Sequence, residues 1–179
     1  MEIRMDTLIG KEIIMTDAIL LGTVQDLRCE DLKWNILGLR VKTSKSSGLG
    51  RSSVLLEPGN FTIGDVILIR DTTDTVRSSI TPDDSGILSL SSMIGMNVYG
   101  SDAFLLGTIE SINIDTSKWR ASSFTVKLDK DAYQPLEVKK GLISSKRASG
   151  LNMTDIEGVS DTIVLKKNLS KLKSQIVIS

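Results

Sequence analysis

The residue types that most often carry out catalysis are scarce in this chain. It has no histidine, so it lacks the side chain that acts as general base in Ser-His-Asp and Cys-His pairs and as an imidazole metal ligand. Its single cysteine, Cys29, cannot form an intrachain disulfide or complete a structural zinc site. These absences argue against an enzyme, and the sequence predicts no catalytic residue, no cofactor and no metal.

Carboxylates are the remaining candidates for chemistry, and two of them recur. Asp17 and Asp102 each begin the same short phrase, and we interpret both as turn residues because Asp bonds its own backbone amides. Asp129 and Asp131 flank a predicted strand end, where a solvated turn is favoured over a weak cation site. The glycine loop at 48–51 is likewise interpreted as a loop rather than a phosphate site, because no Lys-Ser/Thr pair follows it.

The phrase that begins with these aspartates shows that the chain is an internal repeat. Residues 17–24 read DAILLGTV and residues 102–109 read DAFLLGTI, an offset of 85 at which six of the eight residues are identical. The same offset pairs Trp34 with Trp119. The chain therefore contains two copies of one small domain.

Composition and repeat boundaries predict the domain organisation. We expect a first domain at 1–70, a linker at 71–86, a second domain at 87–166 and a basic, apolar-ended tail at 167–179. Eleven of the 16 linker residues are Ser, Thr or Asp, a composition that predicts a solvated, flexible tether. About 11 residues are inserted in the second copy between 129 and 153, which makes the halves unequal.

Hydrophobic patterning places both copies in the all-β class. Short segments alternate apolar and polar residues, most clearly at 34–42, and the continuous apolar run at 65–69 favours a strand buried on both faces. Five or six such strands per copy predict a small antiparallel β-barrel, because closure removes the exposed edges of a short sheet. We therefore predict two tandem barrels joined by a flexible linker.

Charge and hydropathy limit the partners. Lys+Arg and Asp+Glu both total 22, so no global field attracts nucleic acid or an acidic membrane. Residues 134–179 nevertheless carry eight basic and four acidic residues, and either this split supports head-to-tail association or the loops differ by chance. No apolar run approaches the ~20 residues of a spanning helix, and the start lacks a signal peptide's apolar region, so we expect a cytoplasmic protein.

Five residues are the candidates for partner binding or self-association. Trp34 and Trp119 recur in a chain with few aromatics, and each either plugs the end of a barrel or anchors an interface. Ile176, Val177 and Ile178 close the chain. They either complete the second barrel or add as a strand to an exposed edge, in the same molecule or a neighbour. A short helix is expected just before them, over 168–173.

The repeated motifs resemble the PRC-barrel family. Ile-Gly-Lys-Glu-Ile-Ile at 9–14, the Leu-Gly-Thr-Val strand at 21–24 and the closing strand at 65–69 follow its pattern of Gly-Lys-x-Val, small turn, Gly-x-Val and a final apolar strand. The second copy keeps Ile94-Gly95 but has Met96-Asn97 in place of Lys11-Glu12. The resemblance covers roughly 5–70 and 90–166.

Membership of that family would imply a small binding barrel without catalytic chemistry. Members include a domain of a bacterial ribosome-maturation factor, a photosynthetic reaction-centre subunit, and archaeal stand-alone or tandem forms similar to components of the FtsZ-based division ring that bind its SepF membrane anchor. The last class fits the chain best, because neither the transmembrane helix of the reaction-centre type nor the additional amino-terminal domain of the ribosome factor is expected in this sequence. This step is by analogy of fold.

Two functional hypotheses follow. The first is a cytoplasmic scaffold at the division site that associates with itself or a PRC-barrel paralogue, as dimer or polymer, binds a SepF-type protein, and meets the membrane only through that partner. The second is a ribosome-maturation or RNA-associated factor, which would show salt-dependent binding. Nucleic-acid binding is not expected, because the basic tail contains no aromatic residue.

Overall fold

The chain folds almost entirely into β-strands. The computed structural model describes residues 1–82, 87–139 and 145–179. From the amino end, the strands are β1 (Glu2–Arg4), β2 (Glu12–Met15), β3 (Leu20–Cys29), β4 (Ile36–Thr43), β5 (Ser53–Leu56), β6 (Phe61–Ile63), β7 (Ile67–Ile69), β8 (Ile80–Thr81), β9 (Leu88–Ser89), β10 (Asn97–Tyr99), β11 (Leu105–Asp115), β12 (Arg120–Leu128), β13 (Arg147–Asn152), β14 (Ile156–Val159), β15 (Ile163–Leu165) and β16 (Val177–Ile178), and the helices are α1 (Thr73–Arg77) and α2 (Leu169–Gln175). The all-β prediction is confirmed.

The strands form two eight-stranded sheets of the same plan. One has the order β6-β7-β2-β3-β4-β5-β8 with β9 also paired to β3, and the other has the order β14-β15-β10-β11-β12-β13-β16 with β1 also paired to β11. Among the described strands neither order closes on itself, so the predicted closed barrels are not found. The outermost strands have only two to four residues, which keeps few backbone groups exposed without closure.

One strand pair in each sheet is parallel, which the prediction of purely antiparallel barrels missed. Strand β7 runs parallel to β2, and β15 runs parallel to β10. Parallel neighbours require a long crossover connection, and the strands between β2 and β7 supply it in the first copy. The return of the last apolar strand to the first is therefore a shared feature of both sheets.

Each sheet gains one further short strand, which lies in the sequence just before the other copy of the repeat. Ile3 of β1 lies opposite Ile114 of β11, and Leu88 of β9 lies opposite Cys29 of β3. Leu88 lies 85 residues after Ile3, and Cys29 lies 85 residues before Ile114. Strands β1 and β9 therefore pair in the equivalent register. We call β1 and β9 the exchanged strands.

The exchange explains how the chain divides into compact units. The first unit contains Met5–Asp31 and Asn35–Ser91, and the second contains Met1–Arg4, Leu32–Trp34 and Ser92–Ser179. Each unit therefore includes an exchanged strand as well as its own repeat.

The segment predicted as a flexible linker is folded over its described part, and it is the counterpart of the tail. Helix α1 lies 96 residues before the start of α2, and each buries one apolar side chain, Val76 or Leu172. Strand β8 then pairs with β5, as β16 pairs with β13. The Ser/Thr/Asp composition did not indicate this folded part, because α1 and β8 are held by contacts with residues distant in sequence. Residues 83–86 of the predicted linker lie outside the described residues.

The helix predicted in the tail at 168–173 is present as α2, shifted to 169–175. Asn168 caps its first turn by accepting a hydrogen bond from the Lys171 amide at 3.1 Å. In the described parts of the chain, no helix is long and apolar enough to cross a membrane.

The insertion in the second copy folds onto its own unit where it is described. Ala132 and Leu136 are buried, and the Tyr133 hydroxyl accepts a hydrogen bond from the Lys146 amide at 2.9 Å. Lys173 of α2 pairs with Glu137 at 2.7 Å. The insertion therefore packs as part of the second unit, with residues 140–144 outside the description.

Candidate interaction surfaces

The recurring aspartates cap helices. One carboxylate oxygen of Asp17 accepts hydrogen bonds from the Thr73 amide at 3.1 Å and the Thr73 hydroxyl at 2.7 Å. These bonds hold the pKa of the Asp17 carboxyl below its usual value. Asp102 accepts from the Leu169 amide at 3.1 Å, the equivalent position at the start of α2. The predicted turn role is thus extended by a capping role that satisfies an amide of the first helical turn.

The cysteine lies in the core of the first unit. Cys29 is fully buried on β3, and burial raises the pKa of its thiol to about 12, with the Asp31 and Asp26 carboxylates adding to the rise. A thiol with that pKa stays protonated near neutral pH and is a poor nucleophile. Cys29 is therefore a packing residue.

The other sequence candidates for ion or phosphate binding serve local turns. Asp129 accepts a hydrogen bond from the Asp131 amide at 2.9 Å and caps the turn at Lys130–Ala132. Gly48 ends the turn at Lys45–Ser47 in a left-handed conformation with φ 65°. Within the described ranges, no group of three or more Cys, Asp or Glu side chains is placed to hold a metal ion.

Trp34 is buried. It lies in the turn between β3 and β4 with φ 66°, and its carbonyl accepts a hydrogen bond from the Ala121 amide at 2.9 Å within the second unit. Its side chain is 0 % exposed, and its indole Nε1 has no acceptor in the described part of the chain. A partner cannot reach this side chain in the folded chain.

Trp119 has the same backbone conformation but a different environment. It lies in the equivalent turn between β11 and β12 with φ 47°, and its side chain is half-buried. Of the two tryptophans, only Trp119 offers surface that a partner can touch.

The apolar end of the chain pairs within its own unit. Val177 and Ile178 form β16, and the backbones of Arg147 and Ser179 exchange two hydrogen bonds of 2.9 and 3.0 Å. Ile176 and Ile178 are half-buried, whereas Val177 is 64 % exposed. Of the alternatives left open by the sequence, the structure has the tail completing its own unit.

An apolar stripe that the sequence did not reveal crosses the outer face of the first unit. Leu68 in the middle of β7 is 37 % exposed, which corrects the prediction that this strand is buried on both faces. Ile14 of β2 lies directly opposite Leu68, and Leu20 of β3 lies opposite Ile14. Directly paired residues point to one face of a sheet, so the three side chains adjoin. We call Leu68, Ile14 and Leu20 the first stripe.

The second unit carries an equivalent stripe. Val164 of β15 is 40 % exposed and lies opposite Tyr99 of β10, which in turn lies opposite Leu105 of β11. These positions match the first stripe at the repeat offsets of 85 and 96. We call Val164, Tyr99 and Leu105 the second stripe.

Glycine shapes the strand beneath each stripe. A Cβ on Gly22 would lie 2.0 Å from the Lys42 carbonyl oxygen, and a Cβ on Gly107 would lie 2.0 Å from that of Lys127. The register shifts beside both glycines, as expected where a bulge bends a strand. Both strands therefore bend beside the equivalent glycine.

The basic carboxyl-terminal region is partly neutralised within its unit. Lys167 pairs with Asp155 at 2.9 Å, and Arg147 pairs with Glu110 at 2.5 Å. These pairs reduce the net charge available to an acidic ligand.

Comparison with known proteins supplies no assignment. No protein-family model matches the chain, and no curated protein matches it. The function must therefore be inferred from the two units and their surfaces.

Proposed function

We propose that the chain is a non-catalytic protein–protein interaction scaffold. The observation that carries the proposal is the pair of equivalent stripes, one on the outer face of each unit. Exposed apolar residues are common singly, whereas adjoining apolar residues on a surface mark interaction sites. In each stripe one residue is exposed, Leu68 or Val164, and its two neighbours are half-buried.

Two copies of one surface in one chain suit a bivalent binder. When the first stripe is occupied, binding at the second becomes intramolecular, and its effective concentration raises the overall affinity without a new contact. A partner that is itself repeated, as a polymer or a membrane-bound array is, would gain most from such a chain.

The specific partners come from the resemblance described above. We propose that both units are PRC-barrel-like and that the chain belongs to the archaeal FtsZ-based division machinery. There it would associate with itself or a paralogue and bind a SepF-type membrane anchor. The repeated Gly-Thr strands, the final apolar strand beside the first, and the paired units support this proposal.

Size-exclusion chromatography with light scattering tests it, over a concentration series and with a purified SepF-type anchor in one arm. We expect a dimer or a growing assembly that co-elutes with the anchor. The double variant Leu68→Ser/Val164→Ser should weaken the affinity for the anchor by more than about tenfold. Each single variant should weaken it by less, because one intact stripe still binds.

A matched control removes exposed leucine and isoleucine outside the stripes. Leu37 and Ile94 are 43 % and 41 % exposed, so Leu37→Ser/Ile94→Ser removes at least as much apolar surface as the double variant of the stripes. Equal loss in both double variants would contradict the role of the stripes. A concentration-independent monomer that ignores the anchor would contradict the scaffold, and nuclease-sensitive association would favour the RNA-associated alternative.

A further inference from the structure

The two units differ at one structurally equivalent place, beside the strand that closes each sheet. In the first unit Phe61 lies opposite Ile69, and in the second Ile156 lies opposite Leu165. Counting from these pairs, Asn60 is the counterpart of Asp155, and Asp71 is the counterpart of Lys167.

In the second unit this place holds a lysine ammonium. Lys167 Nζ lies 2.9 Å from Asp155 Oδ1 and also donates to the Gln175 side chain. Gln175 Nε2 in turn donates to Asp155 Oδ2 at 2.7 Å. The cation, the carboxylate and the amide satisfy one another within the chain.

In the first unit the same place is an open cavity of about 330 Å³. Its lining includes the core side chains Leu56, Ile69 and Val76, each at most 3 % exposed, and the half-buried ring of Phe61. The cavity is large enough to receive a long side chain and has apolar surface for its methylene groups.

The charged groups at this cavity are mainly negative, opposite in sign to a lysine ammonium. Asp71 stands where the second unit has Lys167, and its exposed side chain lines the cavity. Glu57 adds a second carboxylate to the lining and Arg70 one guanidinium, so acid predominates. The neutral Asn60 cannot replace the Asp155 charge, and no lysine of this unit lines the cavity.

We propose that this cavity binds a lysine side chain of a partner protein. The ammonium lies against the Asp71 and Glu57 carboxylates, and the methylene chain lies along Phe61, whose ring also attracts a cation. The first unit thus obtains from a partner the cation that the second unit supplies to itself. The inference rests on the proposed scaffold function and names the chemistry of one partner contact.

The test is a ¹H–¹⁵N NMR titration of the full chain with the peptide acetyl-Ala-Lys-Ala-amide. We expect shifts confined to residues 56–61 and 69–79, with a millimolar dissociation constant. The same peptide with norleucine in place of lysine should bind about fivefold more weakly, because an exposed charge pair contributes up to about that factor.

Two variants sharpen the test. Asp71→Asn should weaken the lysine peptide about fivefold, whereas Asp65→Asn, an exposed acid outside the cavity, should leave it unchanged. The double variant Asn60→Asp/Asp71→Lys rebuilds the ion pair of the second unit and should abolish the shifts.

Equal binding of the norleucine peptide, full binding by Asp71→Asn, or shifts centred on 153–155 and 167–175 would each overturn the proposal. Failure of the lysine site can be told from failure of the scaffold function. Assembly and anchor binding are measured by light scattering and depend on Leu68 and Val164.

Discussion

Strand β9 in the first unit and strand β1 in the second have the same register but are held by different side chains. In the first unit the buried Asp26 accepts hydrogen bonds from the Ser91 amide at 3.0 Å and the Ser89 hydroxyl, and it pairs with Arg28 at 3.2 Å. In the second unit Glu2 accepts from the Ser122 hydroxyl at the surface.

A second contact in the second unit is also exposed. The terminal ammonium of Met1 lies 3.7 Å from Asp115. The difference teaches that backbone pairing sets the register of an exchanged strand, while side chains decide how firmly it is held. We therefore expect β9 to be the more tightly fixed of the two.

The largest effect is expected at the equivalent tryptophans. Trp34→Ala should destabilise the fold by about 4 kcal/mol, because it empties a fully buried site, whereas Trp119→Ala should cost about 1 kcal/mol. Urea denaturation followed by circular dichroism measures both. Equal costs would show that the two turns are not packed as differently as their exposure indicates.

Substitution of the equivalent glycines, Gly22 and Gly107, should destabilise the two units equally. Gly22→Ala and Gly107→Ala should each cost about 3 kcal/mol, because the added methyl collides with a carbonyl oxygen that belongs to the sheet. Gly158→Ala is the control, since nothing lies within 4 Å of its added Cβ. A loss below 1 kcal/mol in either glycine variant would mean that the adjacent strand can shift.

The anchors of the exchanged strands should separate the units. Asp26→Ala should cost about 2–3 kcal/mol, because it removes a buried carboxylate that accepts hydrogen bonds from three donors and pairs with Arg28, and Glu2→Ala less than about 1 kcal/mol. Hydrogen exchange of the Leu90 amide, which donates to the Leu27 carbonyl, reports local opening at β9. If Asp26→Ala does not accelerate that exchange, the carboxylate does not hold the strand.

The smallest effect is a pH dependence at Asp155 of the second unit. Burial disfavours ionisation of Asp155, but hydrogen bonds from Lys167, Gln175 and the Asn152 amide outweigh it and hold its pKa below the usual value. A depressed pKa in the folded state adds stability above the unfolded value of about 3.9, and this stability is lost as pH falls further.

Asp155→Asn should therefore cost about 1 kcal/mol at pH 7, and the difference from the unaltered chain should shrink below about pH 4. Urea denaturation at pH 7, 5 and 3 measures this. A constant difference from pH 7 to 3 would mean that the Asp155 charge does not contribute.

Local pattern was sufficient where strands carry their own signal. The alternation at 34–42 corresponds to β4 at Ile36–Thr43, and the repeated phrase at 17–24 and 102–109 contributes the first residues of β3 and β11. The short strands β1, β8 and β9 were missed, because two or three residues contain no periodicity and pair only with strands distant in sequence.

The candidate surfaces were harder to predict than the strands. The apolar run containing Leu68 resembles a strand buried on both faces, but only Ile67 and Ile69 are buried, and Leu68 between them points to the opposite face and is exposed. Trp34 and Trp119 are equivalent in sequence, yet only Trp34 is fully buried. Exposure depends on neighbours that local sequence does not specify.

The sequence by itself determined that this protein is an all-β tandem repeat without histidine chemistry, because repetition and composition are properties of the chain alone. The tertiary structure decided which strand completes which unit, that α1 and α2 are counterparts, and that one unit neutralises a site which the other leaves open. These features depend on pairing between residues far apart along the chain, where the energy of contact, not local preference, selects the partner.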